Sequence, residues 1–277
     1  MKFLEKLNPG DHEFIPEAMV MRVIPKRKLE IPETPEIEAR WKDFVAEKKS
    51  RGLQAKDGDL VVTRLDSCRQ KDIIYEVGAF FGKFKPWVTT RPAFTYSSGV
   101  RPGAVKGFDI YSLGTGGLFF VEDSGDPKYM LFGSRHWREV GGEIDTVPAG
   151  FLKTADLSDI DPALTGFRRE AREEIIEPET FLESGVMKSD YWRNLTAIYD
   201  TGTEMKNIEQ AFDLQEEGDI VILKRETPRV SKYGEEGLFM VPLGTLDRYV
   251  SENLEKYGDR RFGERAALLL KRYFERA

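Results

Sequence analysis

The stretch that decides the fold is Asp161-Pro162-Ala163-Leu164-Thr165-Gly166-Phe167-Arg168-Arg169-Glu170-Ala171-Arg172-Glu173-Glu174-Ile175-Ile176-Glu177-Pro178. Asp161 as N-cap and Pro162 at the first helical position open a helix. The Asp carboxylate accepts an orphan backbone N–H there, and proline lacks only an N–H that would have had no partner. Leu164, Phe167, Ala171 and Ile175 recur at offsets of three, seven and eleven, which makes one buried stripe. Pro178 stops the helix. Glu170, Glu173, Glu174 and Glu177 follow at i, i+3, i+4 and i+7 and share a second face.

Like charges at that spacing repel by a few tenths of a kcal/mol per exposed pair. A bound Mg²⁺ or Mn²⁺ reverses the sign, because hard cations take several carboxylate oxygens at once. Such a cluster suits metal-assisted attack on a pyrophosphate. The bland alternative is a solvated acidic face. Just upstream, Val147-Pro148-Ala149-Gly150 reads as a strand end running by a loop, Thr154 to Asp161, into this helix.

Working outward, strands are expected at Leu118–Glu122 and Lys128–Phe132, joined by a turn at Asp123-Ser124-Gly125-Asp126. Tyr111–Leu113 reads as a separate strand, with Gly114-Thr115-Gly116-Gly117 as a hairpin turn. Leu195–Tyr199, Ala211–Leu214, Ile220–Lys224 and Leu238–Val241 are further strand candidates. Helices are expected at Thr245–Lys256 and Glu264–Glu275. The apolar Ala266, Leu269, Leu270 and Phe274 of the last are core or a homodimer surface. Nearer the N-terminus, Ile15–Pro35 is proline-spaced extended chain, and Ile37–Ser50 carries Ile37, Trp41, Phe44 and Val45 at amphipathic spacing. Lys56-Asp57-Gly58-Asp59 is a turn, Leu60–Leu65 and Ile73–Phe81 are strands, and Lys85–Gly107 reads as a long loop. Strands in hairpins with isolated helices between them define an α+β class.

The 277 residues are 40% hydrophobic and 12% aromatic, enough for a sizeable core. Lys+Arg 42 against Asp+Glu 48 leaves a net charge of -6, which argues against nucleic acid as a partner. A small anionic substrate remains open, met through a basic pocket or a divalent cation. The single Cys68 excludes an internal disulfide and a cysteine-rich zinc site, and the two histidines, His12 and His136, leave little for a histidine-based one. No apolar run reaches signal-peptide or membrane-span length, so a cytoplasmic setting and no membrane partner are expected.

The region around Arg169 resembles the Nudix box, G-x5-E-x7-R-E-U-x-E-E-x-G-U with U a bulky aliphatic. Here Gly150 is followed by five residues and Asp156, and later by Arg169-Glu170, Ala171, Arg172 and Glu173-Glu174. The chain departs from the pattern in four ways. Asp156 stands for the first Glu, twelve residues rather than seven separate it from Arg169, Ala171 is small, and Ile176 and Glu177 replace Gly and the final aliphatic. The insertion falls in the Thr154–Asp161 loop, where extra length costs little.

The resemblance implies a Nudix-type α/β/α sandwich with a mixed sheet over residues 109–277, with residues 1–108 as an N-terminal extension or subdomain. It implies magnesium- or manganese-dependent hydrolysis of a nucleoside diphosphate-linked small molecule. A UDP-sugar is one substrate, in line with the UDP-glucose pyrophosphatase-like branch, and ADP-ribose is another. Glu170, Glu173 and Glu174 match the metal-binding carboxylates, one of which also serves as general base. Ala149 matches a position whose backbone carbonyl binds metal. Arg169 matches the arginine that orients the carboxylates, with Asp156 as its partner.

Arg135, Trp137 and Arg138 are candidate substrate contacts, arginine for phosphate and tryptophan for stacking on a base. Their bland reading is a core-capping Trp137 between solvated arginines. Tyr233, Glu235 and Glu236 are candidates for a late base or ligand, and His136 reads as a surface or packed histidine. Gly78-Ala79-Phe80-Phe81-Gly82-Lys83 is one residue short of a phosphate-binding loop and is followed by Phe84, not Ser or Thr. The rival function is a Nudix-fold module that binds a nucleotide without turning it over. RNA cap removal fits the chemistry but gains nothing from the acidic charge.

Overall fold

The computed structural model describes residues 7, 12–26, 34–50, 52, 54–90, 110–123, 126–135, 144–175, 192–200, 207–217, 235–256 and 262–276. The Ile220–Lys224 strand candidate lies outside them. Among the described residues, twelve strands are joined by pairing into one branched sheet. They are β1 (His12–Phe14), β2 (Val20–Pro25), β3 (Asp59–Arg64), β4 (Cys68–Lys71), β5 (Ile74–Lys83), β6 (Ile110–Asp123), β7 (Asp126–Arg135), β8 (Ile144–Thr146), β9 (Ala149–Phe151), β10 (Trp192–Asp200), β11 (Asn207–Glu217) and β12 (Glu235–Pro242). Five helices accompany them among the described residues: α1 (Pro35–Ser50), α2 (Phe84–Thr90), α3 (Pro162–Glu174), α4 (Leu246–Lys256) and α5 (Glu264–Arg276). The fold is α+β with a mixed sheet.

The sheet's spine runs β1-β10-β11-β6-β3-β5-β2. β6 is its hub, parallel to β11 and antiparallel to β3, β7 and β9. Side chains alternate along β6 and β7, and the alternation builds two cores. Phe119 and Leu131 face α3, where Phe167 and Ala171 pack with Phe212 and Leu152. Leu118, Phe120, Met130 and Phe132 face the other way, onto Leu246 and Val250 of α4 and Ala266, Leu269 and Leu270 of α5. Helices on both faces of one sheet make a sandwich. Of the two readings of the terminal helix, these three residues fall to core.

A third cluster lies under β3, where Leu60 and Val62 meet Phe44 of α1 and Trp87 and Val88 of α2. The strand at Asp59–Arg64 and the helix at Pro35–Ser50 fall within a residue or two of expectation. Two expectations fail. Gly114-Thr115-Gly116-Gly117 is not a hairpin turn but the middle of the continuous strand β6. Its glycines permit crowding: a Cβ at Gly117 would overlap the backbone of Phe212 in β11. The long loop expected from Lys85 instead begins as helix α2, with Pro86 within its first turn, where proline is tolerated. Among the described residues, no helix is long and apolar enough to cross a membrane.

Candidate active site

Helix α3 begins as its sequence dictates. Asp161 is the N-cap, its Oδ1 accepting from the Leu164 N–H at 3.1 Å, and Pro162 sits in the first turn. The stripe Leu164, Phe167, Ala171 and Ile175 is buried, with the Phe167 ring 4.9 Å from that of Phe212. Burying a large side chain of this kind contributes roughly 1.5–3 kcal/mol, so the stripe fixes how α3 is rotated. That rotation turns Glu170 inward, to 8% exposure, while Glu173 and Glu174 stay at the rim.

The carboxylates of α3 meet β9. Glu174 Oε2 accepts from the Ala149 backbone N–H at 3.0 Å. Glu170 lies so close to the next residue that a Cβ at Gly150 would overlap its carboxyl group. Only glycine leaves that room. Glu170, Glu173, Glu174, Ala149 and Gly150 thus line one cavity of about 850 Å³.

Arg169 organises the inner side. It donates from Nε to Asp156 Oδ1 at 3.2 Å and from an Nη to Asp156 Oδ2 at 3.0 Å. It also donates to the Phe151 carbonyl at 2.8 Å and to the Glu170 carboxylate. Asp156 is nearly fully buried and accepts a further bond from the Lys153 N–H at 2.8 Å, in a short 3-10 turn over Thr154–Ser158. The expected Thr154–Asp161 loop therefore contains this turn, and the longer spacing still delivers Asp156 to Arg169.

Charges follow from these contacts. Burial pushes the Glu170 carboxyl up to about 7, against the opposing pull of the Arg169 charge and hydrogen bond. Burial works against the Arg169 charge, but Asp156 and Glu170 outweigh it and hold the guanidinium above its ordinary value. Burial likewise raises Glu173, and the Lys153 ammonium beside it more than compensates, leaving Glu173 below its ordinary value. Lys153 Nζ reaches both Glu173 oxygens, at 3.0 and 3.2 Å.

Among the described residues, no group of three or more His, Cys, Asp or Glu side chains is drawn together closely enough to hold a metal ion ready-made. The carboxylates are occupied by Arg169, Lys153 and the Ala149 N–H. The donor set nevertheless suits a hard divalent cation: all oxygen, all on one cavity, with one carboxylate nested against Gly150.

Of the other candidates, Arg135 ends β7 in register with Glu235 of β12. Trp137, Arg138, His136 and Tyr233 lie outside the described residues, and Glu236 falls within β12. Sequence reasoning missed Lys153 and the part of the cavity lining that comes from upstream in the chain, Phe44, Lys48, Lys56 and Phe84. Lys153 had a local signal, as a cation just after Gly150. That part had none, because it lies far from α3 in the chain.

No protein-family model matches this chain. No curated protein matches it either. Among solved structures, the crystal structure of DR0079 from Deinococcus radiodurans is similar to it, at 17% identity and a TM-score of 0.36, covering 58% of this chain and 82% of that one. A likeness at that level carries no argument.

Proposed function

We propose that this protein is a Nudix-type hydrolase that splits the pyrophosphate of a nucleoside diphosphate-linked small molecule with the help of magnesium or manganese. The observation that carries the reading is that Glu174 and Glu170 meet the Ala149-Gly150 strand end in a cavity that Glu173 also lines. The Arg169–Asp156 pair supports it, since the box resemblance implies an arginine clamped beside those carboxylates.

Glu170, Glu173, Glu174 and the Ala149 carbonyl are the groups that would hold the cation. When bound there it would supply positive charge against the phosphate oxygens. One of these carboxylates would also take the proton from the attacking water. Arg169 holds Glu170 in place from one side and the Phe151 carbonyl from the other. A cavity of about 850 Å³ suits a small nucleotide conjugate. The lone Cys68, with no disulfide, is in keeping with a reducing cytosolic setting.

A binding module without turnover is the second reading. The carboxylates' engagement with Lys153, Arg169 and a backbone N–H favours it. Incubation with UDP-sugars, ADP-ribose, dinucleotides and capped RNA, with magnesium and with chelator, separates the two. Metal-dependent release of a nucleotide from the small conjugates is expected. Binding without release in every case would establish the module instead.

A further inference from the structure

We propose that the chain ahead of the acidic helix builds the subsite for the substrate's phosphate groups, with Lys48 and Lys56 as its cations and Phe84 as its apolar floor. This rests on the hydrolase reading and names the residues that would set its substrate class. The cavity lining carries both charges: Glu170, Glu173 and Glu174 come from α3, Lys48 and Lys56 come with Phe84 from upstream in the chain, and Lys153 and Asp59 lie among them. A nucleoside diphosphate needs both: carboxylates to hold a cation at the phosphorus, and positive charge to accept the remaining phosphate oxygens.

The upstream part of the lining is held rigidly to the site. The Trp41 ring stacks on Phe44 at 5.4 Å, Phe44 meets Phe84 at 5.9 Å, and Phe84 meets Trp87 at 5.5 Å. Trp87 sets its edge against Phe151, the residue after Gly150, at 5.2 Å. An unbroken aromatic chain thus links α1 to β9. Lys48 Nζ lies 5.8 Å over the Phe44 ring, which fixes the lysine along that part of the lining. The turn after Lys56 is pinned as well: Asp57 Oδ1 accepts from the Lys85 N–H at 2.9 Å, and the Gly58 carbonyl accepts from the Phe84 N–H at 2.9 Å. Lys56 itself is exposed. Lysines and carboxylates that line one cavity suit a phosphorylated small molecule bound together with a cation.

The test is calorimetric titration of the whole protein with ADP, UDP and inorganic pyrophosphate in magnesium. It compares wild type with the double variants K48A/K56A and K48R/K56R, each checked for an unchanged melt. The alanine pair is expected to weaken all three by about ten-fold or more, and the arginine pair to restore most of that loss. Wild-type affinity in K48A/K56A would overturn the proposal, as would absence of binding by wild type. Failure of hydrolysis with this binding pattern intact would sink only the enzymatic reading.

Discussion

Gly150 and Glu170 share one space: the carboxyl group of Glu170 occupies the position that a side chain at residue 150 would need. Gly150→Ala must therefore displace a buried carboxylate that Arg169 also holds. Overpacking of this kind costs about 1–3 kcal/mol. Chemical denaturation should show that loss in the wild-type background. It should largely vanish in the Gly150→Ala/Glu170→Ala double variant, because the two positions are coupled. Additive losses would mean that the two residues do not compete for this space.

Asp156 is nearly fully buried and accepts two hydrogen bonds from Arg169. Removing Asp156 takes two charge-assisted bonds from Arg169, which keeps Glu170 and the Phe151 carbonyl as partners, at a cost of about 1.5–3 kcal/mol. Asp156→Ala is expected to destabilise the fold by an amount of that order in urea unfolding. Asp156→Glu, which keeps the charge, should lose less.

The raised Glu170 carboxyl makes metal-free stability depend on pH. Its folded value of about 7 lies above the ordinary 4.5, so folding takes up a proton between those two values. The stabilising contribution is complete below the unfolded value and is lost as pH rises through the folded one. In chelator, the wild-type melting temperature relative to Glu170→Gln should fall as pH rises from about 5 to about 8. A parallel pH course for both proteins would show that Glu170 is not the group responsible.

Lys153 holds both oxygens of Glu173 from a half-open position. Exposed pairs of this kind contribute about 0–1 kcal/mol to stability, so Lys153→Met should scarcely change the melt. It should instead tighten Mn²⁺ binding several-fold, because a competing cation is gone. Titration followed by electron paramagnetic resonance reads this directly. Weaker Mn²⁺ binding in the variant would show that Lys153 assists the cation and does not compete with it.

Where local periodicity decides structure, the sequence was readable. Asp161-Pro162 and the stripe from Leu164 to Ile175 fixed both the start and the rotation of α3. The Asp156–Arg169 contact was legible as well, because both residues belong to one motif. Gly114 to Gly117 misled because glycine signals turns locally, whereas here it serves the close approach of β11, a tertiary fact. Pro86 misled in the same way, since the first turn of a helix accepts proline. Glu170 looked like one member of an exposed row, and only packing against Gly150 set it apart. The Lys48–Phe84 part of the cavity lining is assembled by residues distant in the chain, and no spacing rule foresees it.

The central claim is that acidic groups on one turn of α3 promote hydrolysis at a pyrophosphate. The most direct measurement is single-turnover cleavage, in magnesium, of whichever small nucleotide conjugate the wild type splits, set against Glu173→Gln/Glu174→Gln with its fold verified. The account predicts a rate reduced by about a hundred-fold or more, given that positioned charge and proton transfer are each worth that much. Turnover by the double variant at the wild-type rate would contradict it.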